Sequence, residues 1–446
     1  MTILIRTLVC LLVILHSQTS FSQRDPLLWP FAVNSIWNTP IGSNAVYVPA
    51  GIEPANAYGM TVDEDLIVLK PQAPLLDIYT NYAGWDADLD RCVEEGPLLF
   101  TAPVPIDFIV SPDNWDGLTP NSGLAVLMPD GETIRQTQPF SRCSAETATS
   151  RWTPPNVNLY GDGIRGAHGG SGLSAIGGAL RLGELDEPDD TIRHVLKVNL
   201  YAAENLFYDS QYEGFRWPAI RADSYAPDVY GSLRTEEVVP ECRMGALLAI
   251  PAQVDLSSLA LETTPAQILA LALQQYGAYV VDDTAWDVYA FITEWSPDGR
   301  FMDEFEAAWG FPFKEPSQNT SWSRDMRTLF SALHVVDNNR PDNIGGGGTP
   351  LTPLAPEFSP NSVMDEKPNT QLIISPNPAH GQVVLSGLPL NTNLLIVNAL
   401  GQKVHSETLT QTTLALPLSH PNGYYNLLIT TSNGKVLERK PLIIQN

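Results

Sequence analysis

The stretch HVLKVNLY, residues His194–Tyr201, shows the alternation that decides the fold of the chain. Leucine or valine occupies every second position from Leu196 to Leu200, and the positions between them form a mixed set that includes Lys197 and Asn199. Because successive side chains of a β-strand point to opposite faces of its sheet, this pattern predicts a strand with one apolar and one mixed face. Similar short apolar runs recur at residues 66–69, 98–100, 108–110, 125–128, 133–138 and 179–182.

Turn and helix signals complete this picture. Pro129-Asp130-Gly131 separates two of the runs and predicts a hairpin. Thr264 as N-cap and Pro265 as first helical residue begin a helix that Gly277 is placed to end, and a second helix is predicted over 323–333. A buried strand, Ala278–Val281, follows the first helix. The sequence therefore predicts a mostly β domain, sandwich-like or jelly-roll-like, with a few helices.

Composition limits the possible partners. The chain has 446 residues, too many for one compact domain of typical size. It carries 25 Lys and Arg against 50 Asp and Glu, a formal net charge of −25. This acidity argues against nucleic acid and against an anionic membrane surface as partners, because both are bound by basic surfaces. The 32 glycines and 37 prolines favour turns and short strands over a helical bundle.

The first 22 residues have the features of a secretory signal peptide. Arg6 supplies a positive charge, Thr7–Leu15 is apolar, and Ser20-Phe21-Ser22 gives small residues at −3 and −1 before Gln23. The apolar run is too short for a permanent transmembrane anchor, and we expect no such anchor elsewhere in the chain.

Removal of that segment leaves three cysteines, Cys92, Cys143 and Cys242. Export permits a disulfide, and an odd number leaves one thiol unpaired. We predict the bridge Cys92–Cys143, because both residues lie in turn-rich, strand-like surroundings. Three unpaired, half-buried cysteines are the alternative.

A linker divides the chain into two parts. Residues 345–370 contain four glycines followed by prolines and small polar residues, the composition of a linker. The predicted domains are therefore a cargo domain over 23–344 and a tail over 371–446. The tail holds six or seven short strand-like runs with turns such as Pro421-Asn422-Gly423, which predict a small Ig-like β-sandwich.

The tail resembles the C-terminal sorting domain of the type IX secretion system, with which Bacteroidetes move proteins across the outer membrane. The matching pieces are Ile374–Pro378, Leu394–Val404, Gly423–Ile429, Gly434-Lys435 and Arg439–Ile444, in that order. The resemblance implies that the tail is a delivery signal read by the type IX machinery and that the protein is secreted or placed on the outer-membrane surface. It covers about a sixth of the chain and says nothing direct about the cargo, which otherwise resembles uncharacterised secreted bacterial proteins.

The densest block of candidate chemistry is the glycine-rich segment Gly161–Gly178. It holds eight glycines, with Asp162 and His168 among them. Glycine permits left-handed backbone and lets a ligand approach the main chain. Neither a phosphate loop nor a GxSxG serine elbow is matched. His168 is a candidate acid/base, although a histidine there can also hold the loop backbone in place.

A second group follows this segment. Arg181 and His194 bracket Glu184 on what we expect to be adjacent strands. A carboxylate held by such neighbours can do acid/base work, so Glu184 is a candidate catalytic acid and Arg181 and His194 are candidate substrate-binding residues. A structural ion pair is the alternative.

Two clusters combine aromatic and acidic residues. The first contains Trp217, Asp223 and Tyr225, and the second contains Asp282, Asp283 and Trp286. Aromatic faces beside charged groups suit a sugar, which presents CH faces to rings and hydroxyls to polar groups. We take Asp223 or Asp162 as the candidate base or nucleophile and assign the others to substrate binding. A solvated turn is the commonest alternative for Asp282 and Asp283.

The sequence predicts no cofactor and no metal site, with one open alternative. Asp86, Asp88 and Asp90 alternate as in a calcium loop, but Arg91 stands where an EF-hand loop needs glycine and Pro97 where it needs glutamate.

These features favour a glycan-cleaving enzyme with an extracellular glycan as partner. A hydrolase would use carboxylates as acid and base. A polysaccharide lyase would use His168 or Tyr225 as base and Arg181 to neutralise a uronate. A non-catalytic carbohydrate-binding adhesin would use the same aromatic residues for binding alone.

Overall fold

The computed structural model describes residues 24–56, 59–86, 88–110, 119–236, 238–358, 373–388, 392–398, 403–418, 420–430 and 436–445. The chain divides into two compact units, of which the first ends at Phe358 and the second begins at Ser359. The predicted signal peptide lies outside the described residues.

The first unit contains strands β1 (Tyr47–Pro49), β2 (Thr61–Val68), β3 (Leu75–Thr80), β4 (Leu98–Pro103), β5 (Ser122–Leu127), β6 (Thr133–Phe140), β7 (Ala148–Ser150), β8 (Val157–Asn158), β9 (Leu196–Leu200), β10 (Leu247–Ala249), β11 (Ala278–Asp283), β12 (Ala290–Ser296), β13 (Gly299–Arg300) and β14 (His334–Val336). In the described part, eleven of them form one sheet in the order β1-β14-β10-β11-β9-β12-β2-β5-β6-β8, with β13 beside β12. Strands β4-β3-β7 form a separate small sheet.

The main sheet is mixed. Strands β11 and β9, β12 and β2, and β2 and β5 run parallel, whereas β9 and β12 are antiparallel. Strands β5 and β6 form the antiparallel hairpin predicted around Pro129–Gly131. The prediction of a mostly β protein with few helices is confirmed, and the parallel pairs are a feature that the sequence analysis did not predict.

The described helices are α1 (Ala202–Asn205), α2 (Ala226–Val229), α3 (Thr264–Gln275), α4 (Phe301–Trp309) and α5 (Ser321–Ser331). Helix α3 is the predicted first helix, with Thr263 rather than Thr264 at the N-cap. Gly277 follows it with a φ of 78°, the left-handed conformation expected after a helix end. Helix α4 was not predicted from the sequence.

The central strand β9 separates two cores. Leu196, Val198 and Leu200 pack in a cluster with α3, whereas Val195 belongs to a second cluster on the opposite face of the sheet. The mixed face is buried as well, because Lys197 and Asn199 are 0% and 4% exposed. Burial of these two polar side chains requires polar partners on the same face.

The predicted linker begins too early. Gly42 N donates to Gly345 O at 2.9 Å, and Asn44 N donates to Gly347 O at 3.0 Å. Gly345 and Gly347 have φ of 67° and 71°, so the glycines shape a hydrogen-bonded loop on the first unit rather than a spacer. Residues 345–358 therefore belong to the first unit, and 359–370 lie outside the described residues.

The second unit contains strands β15 (Ile373–His380), β16 (Gln382–Ser386), β17 (Asn393–Asn398), β18 (Lys403–Thr408), β19 (Thr413–Pro417), β20 (Gly423–Thr430) and β21 (Val436–Ile444). Their order is β18-β17-β20-β21-β15-β16-β19. Alternate residues such as Leu394, Ile396, Leu427 and Ile429 fill its core. This arrangement fits the predicted small Ig-like β-sandwich.

The disulfide prediction is confirmed. Cys92 is bonded to Cys143 with their Cα atoms 5.7 Å apart, and Cys242 is free and buried. Within the described ranges, no helix is long and apolar enough to cross a membrane.

Candidate functional site

Polar side chains converge on one face of the main sheet. Asp63 and Asp65 alternate along β2, Lys197 and Asn199 alternate along β9, and Asp282 lies near the end of β11. The strand register places Asp282 beside Asn199, and Asn199 Nδ2 donates to Asp63 Oδ2 at 3.3 Å. The period of two along each strand sends all these side chains to the same face.

The glycine-rich segment covers this face. His168 N donates to Leu173 O at 3.1 Å, and Gly172 N donates to His168 O at 2.8 Å, which closes a tight loop. Gly172 has a φ of 74°, and a Cβ on Gly166 would lie 2.2 Å from Ser174 Cα, so both positions require glycine. This loop directs His168 onto the polar face of the sheet.

His168 is buried in a charged network. Its Nε2 lies 3.2 Å from both Asp65 Oδ1 and Lys197 Nζ, and its side chain is 1% exposed. Lys197 Nζ also contacts Asp65 Oδ2 and donates to Ser174 O at 2.8 Å. Burial alone would lower the pKa of His168, but Asp65 and Asp282 outweigh burial and the Lys197 charge and raise it to about 9. The neighbouring carboxylates therefore favour the charged form of the His168 ring.

Asp65 and Lys197 balance that charge. Burial would raise the pKa of Asp65, but Lys197 and His168 hold it below its usual range. Burial lowers the pKa of Lys197, against the opposing effect of Asp65. The Asp65 carboxylate thus lies between Lys197 and His168. His168 also lies near a second carboxylate, that of Asp282.

Asp223 and Asp282 form a carboxylate pair over Gly170. A Cβ at Gly170 would lie 2.6 Å from Asp282 Oδ1 and 3.2 Å from Asp223 Oδ2. The two oxygens are therefore at most about 6 Å apart, an upper bound that is compatible with the ~5–5.5 Å between the carboxyl groups of retaining glycosidases. Only a glycine leaves room for both carboxylates at this point of the loop.

The two members of the pair differ in their surroundings. Tyr230 donates its hydroxyl to Asp223 Oδ2 at 2.7 Å. Burial and the neighbouring Asp282 raise the pKa of Asp223 to about 7. Asp282 Oδ2 lies 3.7 Å from Nδ1 of the charged His168, and its side chain is 18% exposed. Carboxyl groups in different environments, one of them with a raised pKa, are typical of acid/base pairs.

Asp283 holds Tyr225 and the neighbouring backbone through hydrogen bonds. Its Oδ1 accepts from Ala202 N at 2.9 Å and from Ala285 N at 3.1 Å, and its Oδ2 accepts from the Tyr225 hydroxyl at 3.1 Å. Burial and the acidic neighbours Asp223 and Asp283 raise the pKa of Tyr225. Tyr225 is 41% exposed, so Asp283 fixes a phenol at the edge of the carboxylate pair.

Exposed apolar and aromatic side chains border the glycine loop. Trp85 is 49% exposed, and its Nε1 lies 3.4 Å from the position a Cβ would take on Gly169. Ile220 is exposed beside Gly172, and Arg221 lies over the Trp152 ring with its Cζ 4.3 Å from the centroid. These residues form the rim of the site.

Glu184, Arg181 and His194 form a separate group. Glu184 Oε2 lies 2.9 Å from His194 Nε2 and accepts from Arg181 N at 2.8 Å. The Arg181 guanidinium donates to Glu294 Oε2 at 2.6 Å. Burial lowers the pKa of His194, but Glu184 outweighs it and the pKa is raised. The structure brings Glu184 to His194 and Arg181 and not to His168.

The remaining predicted site residues are Asp162, Trp217 and Trp286, which lie apart from the carboxylate pair or at its edge. Asp162 is exposed, and its Oδ1 accepts from Ile164 N at 3.1 Å in a local turn. Trp217 is partly buried against the second core. Trp286 is 50% exposed, and its carbonyl accepts from the Thr284 hydroxyl at 2.6 Å.

The calcium alternative rests on aspartates that also make local turns. Asp86 Oδ1 accepts from Asp88 N at 3.0 Å, and Asp90 Oδ1 accepts from Cys92 N at 2.8 Å. Among the residues described by the structure, no group of three or more His, Cys, Asp or Glu is placed to hold a metal ion. Calcium binding there stays an untested prediction.

Sequence reasoning missed several members of the site, namely Asp63, Asp65, Lys197, Asn199, Arg221 and Tyr230. Part of the signal was present, because TVDED over 61–65 places two aspartates two residues apart, as Lys197 and Asn199 are on β9. Polar residues with the period of a strand indicate a polar sheet face. Nothing in the sequence indicates that these two strands share that face.

Comparison with known proteins identifies the second unit. Residues 374–445 match the family described as the secretion system C-terminal sorting domain, so this unit is a type IX sorting domain and the protein is exported to the cell surface or beyond. Such a domain implies interaction with the type IX machinery.

The other comparisons add little. No curated protein matches the chain. Among solved structures, PorZ, an essential bacterial surface component of the type-IX secretion system of Porphyromonas gingivalis, matches with 13% identity over 18% of this chain and 12% of that one, with a TM-score of 0.17. At that score the match carries no argument about the first unit.

Proposed function

We propose that the first unit is a secreted glycoside hydrolase that acts on an extracellular glycan, with Asp223 as general acid and Asp282 as base or nucleophile. The observation that carries the proposal is the pair of carboxylates over Gly170, whose oxygens are at most about 6 Å apart, a bound compatible with a retaining glycosidase pair. Export by the type IX route agrees with a substrate outside the cell.

The surroundings of the pair support the division of roles. Asp223, with a pKa raised to about 7, keeps a proton for the leaving-group oxygen near neutral pH. Asp282 Oδ2 lies 3.7 Å from Nδ1 of His168. His168 is too deeply buried to touch substrate, so it is a positioning residue rather than a catalytic one.

A lyase is supported less well by the same groups. Its base must be unprotonated when the substrate arrives. The pKa of Tyr225 is raised by burial and by its acidic neighbours, and His168 already holds its proton at neutral pH. Neither residue is therefore prepared to remove a proton from a uronate.

The test is a reducing-end assay on a panel of extracellular polysaccharides, run with the exported protein and with Asp223→Asn and Asp282→Asn. Loss of an acid or base costs typically ~10²–10⁴-fold in rate, and we expect losses in this range for both variants. Asp298→Asn is the matched control, because Asp298 is an exposed partner of Lys70.

Two results would oppose the hydrolase. Products with the ultraviolet absorbance of an unsaturated sugar would indicate a lyase. Glycan binding without cleavage, unchanged in Asp223→Asn and Asp282→Asn, would favour the adhesin alternative.

A further inference from the structure

Arg221 lies at the rim of the carboxylate pair with unused hydrogen-bond donors. Its Nε is buried and has no hydrogen-bond partner. In the described part of the chain, Arg221 makes no ion pair within 4.0 Å, and its guanidinium stacks on the Trp152 ring. Burial lowers the pKa of Arg221, and the charges of Asp282 and Asp223 oppose that effect, which places both carboxylates near it.

Two other arginines of this protein show how a guanidinium is held by protein partners. Arg142 donates to four backbone carbonyls, those of Pro105, Phe108, Ile106 and Ala145. Arg300 binds Glu64 through two hydrogen bonds of 2.6 Å each. Arg221 lacks such partners, as does Arg243, whose Nε is also unpartnered and whose Cζ lies 4.3 Å from the Tyr212 centroid. Arg221 differs from Arg243 in its position beside the glycine loop, with its Nε 3.9 Å from the position a Cβ would take on Gly172. A guanidinium held flat on a ring keeps its planar set of donors oriented for a ligand.

A second arginine borders the same rim. The Cζ of Arg151 lies 5.2 Å from the centroid of Tyr82, and its Cγ lies 3.8 Å from the position a Cβ would take on Gly84. Gly84 directly precedes the exposed Trp85, which lies beside Gly169. Arg221 and Trp85 therefore border the glycine loop, and Arg151 lies beside the residue that precedes Trp85.

We propose that the glycan bound at this site carries anionic groups, carboxylates or sulfates, and that Arg221 recognises one of them. The inference rests on the proposed function, because it assigns the substrate class of the same site. A planar guanidinium binds both carboxylate and sulfate through paired hydrogen bonds. The overall negative charge does not prevent binding, because charges beyond about 8 Å are largely screened at physiological salt.

The experiment measures binding of the exported protein to polygalacturonate and alginate as carboxylated probes, dextran sulfate as a sulfated probe, and pullulan and xyloglucan as neutral probes. We expect binding to at least one anionic probe, and the carboxylated and sulfated arms show which group is recognised. Arg221→Met, which keeps an apolar stem over Trp152, should weaken that binding about ten- to hundredfold. Arg221→Lys, which keeps the charge without the planar donors, should have an intermediate effect.

Arg324→Met is the matched control, because Arg324 is paired with Glu262 on the exposed side of α5. Equal weakening in the Arg221 and Arg324 variants would reveal non-specific charge attraction and overturn the proposal. Binding to neutral probes alone, no binding to any anionic probe, or wild-type affinity in Arg221→Met would overturn it as well. If Arg221→Met does not fold, wild-type affinity in Arg221→Lys would still contradict the need for a planar guanidinium.

Binding and turnover separate the two proposals. Cleavage of a neutral glycan that is unaffected by Arg221→Met would leave the hydrolase standing and remove the anionic substrate. Binding of an anionic probe that depends on Arg221 but is not followed by cleavage would support the anionic ligand and contradict the hydrolase.

Discussion

The Nδ1 atom of His168 lies 3.7 Å from Oδ2 of Asp282, and this buried nitrogen has no hydrogen-bond partner. The opposite nitrogen of the ring is held by Asp65 at 3.2 Å. The His168 ring thus lies between the buried carboxylate of Asp65 and the partly exposed carboxylate of Asp282. Asp223, beside Asp282, has a pKa raised to about 7 by burial and by Asp282.

We predict that His168 makes the stability of the protein depend on pH. A pKa raised from 6.5 to about 9 in the folded state means that the contribution of His168 is complete below about 6.5 and is lost as the pH rises through about 9. The free energy of unfolding of the wild type should therefore exceed that of His168→Gln by an amount that shrinks by on the order of 3 kcal/mol over this window. Urea unfolding at several pH values measures it.

His334→Gln serves as the control for that series and should show no such trend. A wild-type advantage over His168→Gln that stays constant from pH 6 to 9 would mean that His168 is neutral in the folded protein.

Tyr230→Phe should move the pH profile of hydrolysis. The Tyr230 hydroxyl stabilises the ionised form of Asp223 through its 2.7 Å hydrogen bond, so its removal should raise the pKa of Asp223 above about 7. The decline of kcat/KM at high pH should then occur at a higher pH than in the wild type. Tyr289→Phe, which loses a hydroxyl bonded to Glu53 O, should leave the profile in place. A shift to lower pH would exclude Asp223 as the acid.

Glu184→Gln should affect stability more than turnover. From the sequence, Glu184 is a candidate catalytic acid. In the structure, the Glu184 carboxylate is occupied by His194 and by the Arg181 amide. Loss of its charge should lower the free energy of unfolding by about 1–3 kcal/mol, the range for hydrogen bonds to charged groups. Thermal unfolding and kcat/KM of the variant distinguish the two roles. A loss of kcat/KM without a loss of stability would show that Glu184 is a catalytic residue.

A chain that ends at Phe358 should fold but remain in the periplasm. It lacks the sorting domain, yet it keeps the loop whose hydrogen bonds join Ser43 N to Thr349 O and Leu351 N to Ile41 O, both at 2.8 Å. A chain that ends at Ile344 loses those bonds and should unfold at a lower temperature. Cell fractionation and thermal unfolding measure the two effects. Surface delivery of the chain that ends at Phe358 would refute the sorting assignment, and equal stability of both chains would place the boundary at Ile344.

The second unit was the part most fully predicted from sequence. Its short strands and motifs follow one another closely in the chain, and alternating residues such as Leu394 and Ile396 fill its small core. In the first unit, alternation predicted strand β9, short strand-like runs predicted β5 and β6, and an apolar run after the first helix predicted β11. Strand alternation is a local property, and short windows of sequence carry it.

What the sequence by itself determined is therefore local: the strand at Leu196–Leu200, the helix after Thr263, the hairpin around Asp130 and the mostly β class. Only the tertiary structure decided that Asp282 pairs with Asp223, that His168 reaches Asp65, and that Glu184 turns to His194 instead. These partners come from strands and loops far apart in the chain. Which of them meet is set by strand order and parallel pairing, and neither is encoded in the period of any single strand.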